Sequence, residues 1–467
     1  MVVFYFILFL IVFTFIGVSA TKFKSNTTKD YLLASSTISP FFSGISAAAS
    51  TYSGFMFTGF VGYVFTNGFA AIWFIVFMFL GEFCSTFFTP FIQQSARKTK
   101  AYTYVEMIVD MTGGYQILRK LLAIIILLFL GVYASSQILS STKALHELLE
   151  WNPFLSVLVA TAIIIAYSYA GGLRASIWTD VAQGTTMLIA IAALGFYSLQ
   201  NLGGYNELYF KLKTIDPNLV SWRPQNLKFG IAAFAIGWFS HGFFGLLGQP
   251  HVMNRYMALR TGAKNTRKAS LYFIGFSILF TCFLTLVSLA IRTHYAEVAF
   301  DHEVALLRFS KETFSNAFLG LILAGLFSST ISTADSQILV CASALTRNFF
   351  PKNLRKKHPL ASNKFAVVLI AICVGMLSLY ENQTVFSTVV LSWGILGVAF
   401  TPFLLANYFK LSINSTTSVC MLITGIATAL LWHYNGLDSN GMTIMLPGIS
   451  ASFLSYYLCK AIGLTNE

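Results

Sequence analysis

The chain has 467 residues, of which 56% are hydrophobic and only 10% are charged, and its formal net charge is +13. A soluble domain of this length needs far more charge to cover its surface, so the composition excludes one. The positive charge does not indicate a nucleic-acid partner, because the basic residues lie between apolar segments and form no nucleic-acid motif. The six cysteines stand singly, without zinc-site spacing or a disulfide framework. These features predict a protein embedded in the lipid bilayer.

Apolar runs long enough to cross a membrane recur along the whole chain. A helix needs about 20 residues to cross the hydrocarbon core. The runs predict thirteen membrane-spanning helices, at 2–20, 39–64, 68–92, 119–141, 153–171, 175–200, 229–250, 270–291, 315–346, 363–380, 384–409, 416–433 and 443–463.

The first apolar run has two interpretations. It ends in Gly17-Val18-Ser19-Ala20, which resembles a signal-peptidase site. However, it lacks a positively charged start, and it is longer than the apolar region of a usual signal peptide. We interpret it as a retained first helix, with a cleaved signal peptide as the alternative.

The charges of the loops predict the orientation of the chain. If the N-terminus lies outside, most of the 30 lysines and arginines fall in loops that face the cytoplasm. The others lie mainly in two long outer loops that also carry acidic residues. The positive-inside rule therefore predicts an outside N-terminus and a cytoplasmic C-terminus in the plasma membrane.

Two of the predicted helices are interrupted by glycine. The helix at 39–64 carries glycines around the sequence AAASTYSG, and the helix at 229–250 carries four glycines and ends in Gln-Pro. Each opens a block of five predicted helices, and paired interruptions at matching positions indicate inverted repeats around a midplane site. Close helix packing is the alternative reason for any single glycine.

The predicted organisation therefore has four parts. An extra helix and a cytoplasmic loop (1–38) come before the first five-helix repeat (39–200). An outer loop and the second, inverted repeat (201–409) follow, and two further helices (410–467) end the chain.

A group of hydroxyls marks the helix at 315–346 as one wall of an ion path. Ser329, Ser332 and Thr333 stand at i, i+3 and i+4, so they share one helix face. Hydroxyls inside a membrane cost free energy unless another helix, water or an ion satisfies them. With backbone carbonyls of Ala49 and Tyr52 from the interrupted second helix, they predict a sodium (Na⁺) site. The alternative is that these hydroxyls bond carbonyls of their own helix or hold helices together.

Four other polar residues lie within predicted helices. Asp180 needs a cationic partner, so it either ligates a second sodium, relays a proton, or pairs with the nearby Arg174. We expect Asp335 to act on the ion site through its charge or to bond a neighbouring helix, since it is turned off the hydroxyl face. We interpret Glu82 and His241 as structural or gating contacts.

The interrupted second helix also predicts contacts to a solute. Thr51, Ser53 and Gly54 lie at the interruption, where backbone groups released from the helix can bond a ligand. Tyr133 and Gln137 share one face of the fourth predicted helix at i, i+4. We predict a substrate-binding site from these five residues.

Four strings identify a family resemblance. They are ISAAASTYSGF at 45–55, GGLRASIWTDVAQG at 171–184, GLLGQPHVMNRYMA at 245–258 and STISTADSQILVCASALT at 329–346. Together, and in this order, they resemble the sodium/solute symporter family, nearest to its proline-permease branch. The similarity covers nearly the whole chain.

The resemblance implies an all-α integral membrane fold, the LeuT-like five-plus-five inverted repeat with about thirteen transmembrane helices. It implies sodium-driven solute uptake by alternating access. The sodium site of the family maps onto carbonyls at Ala49 and Tyr52 and onto Ser329, Ser332 and Thr333 of this chain.

The resemblance also implies roles at other positions. Asp180 matches an aspartate that is tied to sodium coupling in some members, and Ser53, Gly54 and Tyr133 match positions near the substrate of proline permeases. Thr51 departs from the branch, which has aspartate there, and the residues before the Gly-Gln-Pro string lack the expected Trp and Tyr. Both departures touch the cavity and put proline as the substrate in question.

These observations predict a sodium symporter for a small organic solute, for example an amino acid such as proline, and not an enzyme. A sugar acid, a carboxylate or a quaternary amine are alternative solutes, and the absence of an obvious charge at the cavity positions favours a neutral or zwitterionic one. A proton-coupled transporter of the same fold, a membrane sensor and a membrane enzyme are the rival functions. The expected partners are the solute, sodium and the bilayer, and the oligomeric state is open, with a monomer as one case.

Overall fold

The computed structural model describes most of the chain. The described residues are 2–20, 22, 27–295, 300–351, 353, 357–380, 384–438 and 441–464, without the side chains of 170, 171 and 359. Within them the chain is helical, with no β-strand and with one isolated bridge between Ile38 and Leu259.

Twenty α-helices follow one another in the described residues. The first ten are α1 Val2–Ala20, α2 Thr28–Leu33, α3 Pro40–Thr51, α4 Val61–Asn67, α5 Ala71–Ser85, α6 Thr89–Thr99, α7 Tyr104–Met111, α8 Gln116–Ile125, α9 Gly131–Leu149 and α10 Pro153–Leu202. The others are α11 Tyr205–Ile215, α12 Gly230–Leu247, α13 Pro250–Ala258, α14 Ala263–His294, α15 Ala305–Thr313, α16 Asn316–Phe349, α17 Pro359–Leu377, α18 Val385–Tyr408, α19 Ser415–Tyr434 and α20 Met445–Ala461.

Many of these helices are apolar enough for a bilayer. Ten helical stretches of the described residues are long and apolar enough to cross one: Val2–Ala20, Met56–Thr99, Gln116–Leu149, Gly172–Leu202, Gly230–Leu247, Ala263–His294, Asn316–Phe349, Leu360–Leu377, Val385–Tyr408 and Ser415–Tyr434. Shorter helices such as α3 and α20 fall below this length. The count of thirteen spans therefore stays a prediction.

Both helices that were expected to be interrupted are interrupted. Helix α3 ends at Thr51, and after a short non-helical stretch a π-helical turn leads into α4. Helix α12 ends at Leu247, and Pro250 starts α13. The expected segment stopped at residue 250, so α13 was missed. Helix α13 contains too many polar residues to form an apolar run, although proline at the first helical position indicates that a helix begins there.

Two predicted helices are joined into one bent helix. The segments expected at 153–171 and 175–200 form α10, which bends at Gly172 with φ 62° and ψ −163°. A Cβ atom at this position would lie 2.6 Å from the carbonyl oxygen of Tyr31. Glycine is required here because other residues are strained at this φ and have no room.

Helix α16 lies at the centre of the molecule. In an apolar stretch of 18 residues of α16, 83% of the residues are buried. In the corresponding stretch of α1, at the periphery, 11% are buried. Helix α16 packs on α10, α9, α1 and α17, and its polar middle also contacts α3. This packing places the interruption of α3 against the hydroxyl-bearing face of α16.

Candidate ion and solute site

The end of α3 exposes two backbone carbonyls. In a continuous helix the N–H groups of Ser53 and Gly54 would bond the carbonyls of Ala49 and Ser50. Here the Ser53 N–H donates to the Thr51 carbonyl at 3.1 Å, and the Gly54 N–H donates to Oε1 of Gln137 at 2.9 Å. The Ala49 and Ser50 carbonyls are thereby released, with the partial negative charge of a helix C-terminus.

Hydroxyls of α16 reach these two carbonyls. Ser332 Oγ donates to the Ala49 carbonyl at 3.1 Å, and Thr333 Oγ1 donates to the Ser50 carbonyl at 3.3 Å. Ser332 Oγ also lies 3.3 Å from the carbonyl of Ser329 in its own helix. All these residues are buried. The result is a dry group of oxygens from two helices, of the kind that holds a hard monovalent cation.

The other predicted ligands are placed differently. The Ser329 hydroxyl donates to the Leu326 carbonyl at 2.7 Å, so its carbonyl is the oxygen nearer to Ser332. Tyr52 lies at the interruption, and its phenol donates to Glu82 at 2.8 Å. The Ser50 carbonyl was missed from the sequence. The loss of its helical donor at Gly54 is the signal that would have identified it.

Asp180 pairs with Arg255 rather than with Arg174. Its Oδ2 lies 3.0 Å from Nη2 of Arg255, with both side chains fully buried, and it accepts from the Ser46 hydroxyl at 2.5 Å. Arg174 instead pairs with Asp30 at 2.7 Å. Of the three roles expected for Asp180, pairing with Arg174 is therefore wrong. Nearness along the chain suggested Arg174, whereas the last turn of α13 carries Arg255 into the core from another part of the chain.

Arg255 joins four helices at this point. It hydrogen-bonds the Ser46 hydroxyl of α3 at 3.1 Å, the Ser336 hydroxyl of α16 and the His251 carbonyl of α13. Asp180 adds α10 to the network. Its second oxygen, Oδ1, has no hydrogen-bond partner among the described residues. This network holds α3, α10, α13 and α16 together on the side predicted to face the cytoplasm.

Asp335 lies away from the released carbonyls. It is buried and lines a small cavity of about 60 Å³ together with Thr14 of α1 and Tyr167 and Ser176 of α10. It therefore lies off the face formed by Ser332 and Thr333, as its two-residue step from Thr333 predicts.

The Gln137 side chain accepts the hydrogen bond of the Gly54 N–H at the interruption of α3. Besides the bond from the Gly54 N–H to Gln137, the Ser140 hydroxyl donates to the Gly54 carbonyl at 3.2 Å. A Cβ atom at Gly54 would collide with the Thr330 side chain. Tyr133 lies 3.5 Å from the Ser53 hydroxyl. Side chains of α9 thus hydrogen-bond the backbone at the interruption of α3.

A central cavity of about 40 Å³ lies beside this interruption. Of the residues predicted to contact solute, Thr51 and Tyr133 line this cavity. Ser53, Gly54 and Gln137 do not line it. The lining residues that the sequence did not assign to a solute include Glu82, His241, Trp238 and Trp393. They come from α5, α12 and α18, and only the packing of these helices brings them together.

A larger cavity of about 300 Å³ lies above the central one. The two cavities share Trp238 and Val390 in their walls, and the larger one is also lined by Gln225 and Asp438 from loops predicted to lie outside. The larger cavity therefore adjoins the central one on the predicted outer side, whereas the Arg255 network lies on the opposite side.

Comparison with known sequences identifies relatives over the whole length. The family model described as sodium:solute symporter family matches residues 31–425. The high-affinity proline transporter PutP of Bacillus subtilis (strain 168) is 26% identical over 457 residues, covering 96% of this chain and 95% of the relative. The osmoregulated proline transporter OpuE of the same organism is also 26% identical, over 97% of this chain and 93% of the relative.

Solved structures show a similar fold. A Na⁺-coupled sialic acid symporter, in a substrate-bound outward-open state, superposes with a TM-score of 0.85 at 17% identity, covering 99% of this chain and 97% of that one. MHP1, a nucleobase-cation-symport-1 family transporter in a closed conformation, superposes with a TM-score of 0.58 at 14% identity, covering 94% and 96%. The chain therefore shares the all-helical fold of these two proteins.

Proposed function

The chain belongs to the sodium:solute symporter family and is a multi-pass plasma-membrane symporter driven by sodium, and from this premise we propose that it imports a small organic solute by alternating access. L-proline is the first solute to test, because the two Bacillus relatives are proline transporters. The carbonyls of α3, the hydroxyls of α16 and the cavity beside them support this function better than a sensor or an enzyme, since they offer neighbouring sites for an ion and a solute.

The observation that carries the proposal is the pair of released carbonyls at Ala49 and Ser50, faced by the hydroxyls of Ser332 and Thr333. Sodium is a hard cation that takes several oxygen ligands. In the proposed site these four residues bind the ion, and Tyr52 and Ser329 add carbonyl oxygens. Asp180 stays a candidate for a second sodium or for coupling through its free Oδ1.

Sodium couples to the solute through the interruption of α3. The ion neutralises the carbonyl end of α3 and attaches it to α16, while the residues that follow, from Thr51 onward, form a wall of the central cavity. Sodium therefore stabilises the state in which that cavity exists. It can shift the equilibrium only by its different affinity for the two states, typically about 1–3 kcal/mol.

The architecture within the membrane belongs to the same proposal. We place one helix before two inverted five-helix repeats and two helices after them, thirteen spans in all, with the N-terminus outside. The matching interruptions of α3 and α12 support this arrangement. Release on the inner side requires the Arg255 network to open.

The test is the double substitution Ser332→Ala with Thr333→Ala. It removes both hydroxyls that face the released carbonyls, so we expect sodium-stimulated uptake of L-proline into proteoliposomes to be lost. A matched control is Thr285→Ala with Ser288→Ala on α14, whose hydroxyls bond carbonyls of their own helix at 2.7 Å. Uptake with unchanged sodium dependence in the α16 double variant would refute the site.

A further inference from the structure

Glu82 is a carboxylate in the membrane interior without a cationic partner. It lies on α5 and is 2% exposed. Its Oε2 accepts one hydrogen bond, from the Tyr52 phenol at 2.8 Å. No ion pair among the described residues includes it. A carboxylate within a membrane span ordinarily faces the bundle interior and pairs with a cation, so Glu82 is open to a cationic ligand.

Close packing of two helices directs Glu82 into the central cavity. Helices α5 and α12 touch through glycine, because a Cβ atom at Gly81 would collide with the Phe239 carbonyl and one at Gly242 with the Met78 carbonyl. Glu82 follows Gly81 in sequence and lines the central cavity together with His241, the neighbour of Gly242. The backbone contact therefore fixes the position of this carboxylate.

Aromatic rings form much of the rest of the wall. Phe74 and Trp238 meet edge to face with centroids 4.3 Å apart, and Tyr133 and Trp393 do so at 6.3 Å. All four rings line the central cavity, and its lining contains neither lysine nor arginine. Ring faces attract cations through their quadrupole, most strongly tryptophan. The cavity thus carries one negative group, several rings and no positive side chain other than a histidine.

That histidine supplies a second polar contact. Nδ1 of His241 is buried and has no hydrogen-bond partner among the described residues, and His241 lines the same cavity. Buried polar atoms of this kind are normally satisfied, so the atom indicates a group that the solute itself provides.

We propose that the central cavity selects a solute with a cationic nitrogen, which Glu82 binds against the rings of Trp238 and Phe74, while His241 bonds the polar remainder of the solute. The proposal rests on the proposed uptake function and deepens it. It revises the expectation from sequence that no charge lies in the cavity, and it disfavours a sugar acid without an amine. An ammonium zwitterion such as L-proline and a quaternary amine such as glycine betaine share the required chemistry.

The experiment uses matched pairs that differ in one atom. L-proline is paired with cyclopentanecarboxylate, and glycine betaine with 3,3-dimethylbutanoate; in each second compound a neutral carbon replaces the cationic nitrogen. The full-length protein is purified, and its thermal unfolding is measured with each compound, with gluconate as a sugar acid, in sodium and in choline-free potassium buffer. We expect stabilisation in sodium by at least one nitrogen compound and by neither carbon analogue. Stabilisation by the carbon analogues or by gluconate alone overturns the proposal.

Substitution of Glu82 tests the assigned residue. Glu82→Gln keeps the size and the acceptor for Tyr52 but removes the charge, so we expect roughly a tenfold or greater loss of affinity for the nitrogen compound. Glu82→Asp keeps the charge and should retain the preference for nitrogen over carbon. Trp238→Leu is a second variant, and we expect it to weaken glycine betaine more than L-proline because a quaternary nitrogen depends on ring faces.

The effect of sodium alone on the unfolding temperature distinguishes the inference about Glu82 from the proposed symporter function. Stabilisation by sodium without any solute supports the ion site, and its persistence in Glu82→Gln shows that this variant is folded. If sodium stabilises the protein but no nitrogen compound does, the inference about Glu82 is overturned and the symporter function stands. If neither sodium nor any solute changes the unfolding temperature, the proposed function fails and the inference fails with it.

Discussion

At the scale of single residues, Asp180 and Arg255 show how this protein keeps charge in its interior. Both side chains are fully buried, and Ser46 and Ser336 add hydrogen bonds to the pair, while Oδ1 of Asp180 has no partner among the described residues. Removing both charges from water costs several kcal/mol per ion, which only good geometry and further hydrogen bonds offset. Loss of one partner leaves the other charge unpaired in the core.

Asp180→Asn should therefore destabilise the protein by roughly 3–5 kcal/mol, the usual effect of breaking a buried pair. The double variant Asp180→Asn with Arg255→Met should recover part of that loss, since neither charge of this pair is then left unpaired in the core. Thermal unfolding of the purified protein measures both effects. Asp110→Asn is the control, because Asp110 pairs with Arg119 in a partly exposed position at 2.6 Å and should cost about 1 kcal/mol or less. Equal stability of Asp180→Asn and the native chain would contradict the structural role of this pair.

At the scale of helices, the interruption of α3 is maintained by its neighbour α9. Gln137 takes the N–H of Gly54, which would otherwise bond the Ser50 carbonyl and continue the helix. Ser140 holds the Gly54 carbonyl from the same helix. The ion site therefore depends on an acceptor that does not itself touch the ion.

Gln137→Leu should weaken sodium binding without removing a proposed ligand. It leaves the Gly54 N–H without its acceptor, so that N–H competes with sodium for the Ser50 carbonyl. We expect the sodium concentration for half-maximal uptake to rise roughly tenfold, as for the loss of about 1.4 kcal/mol of binding free energy. Gln116→Leu, at an exposed position at the start of α8, is the matched control. An unchanged sodium requirement in Gln137→Leu would show that α9 does not maintain the interruption.

At the scale of the whole molecule, different contacts hold the helices together on the predicted outer side and on the predicted inner side. On the predicted outer side, Lys143 of α9 pairs with Asp301 and with Glu303 at 2.7 and 2.6 Å, and Glu303 accepts the N–H groups at the start of α18. Burial opposes ionisation of Asp301, but the hydrogen bonds from Lys143 and from the Glu303 N–H and the charge of Lys143 together outweigh it and lower the pKa of Asp301. These contacts join α9 to the residues before α15 and to the start of α18 on the predicted outer side, whereas the Arg255 network joins helices on the predicted inner side. We expect alternating access to break one set of contacts while the other holds.

The proposed orientation predicts which loops a membrane-impermeant thiol reagent can reach. In a chain freed of its own cysteines, Lys213→Cys in α11 should be labelled on intact cells, whereas Lys264→Cys at the start of α14 should be labelled only after permeabilisation. Both positions are exposed in the structure. Labelling of Lys264→Cys on intact cells would reverse the orientation, and labelling of both there would contradict the number of spans between them.

Amino-acid sequence by itself determined the membrane class, the two interrupted helices and the shared helix face of Ser329, Ser332 and Thr333, because hydropathy, glycine placement and helical spacing are local properties. It could not determine which groups meet across helices. Arg255 reached Asp180, and Glu82 reached the central cavity, only through the packing of α13 on α3 and α16 and of α5 on α12. Tertiary structure decided these contacts because a side chain's partners in a bundle depend on helix positions that no single segment encodes.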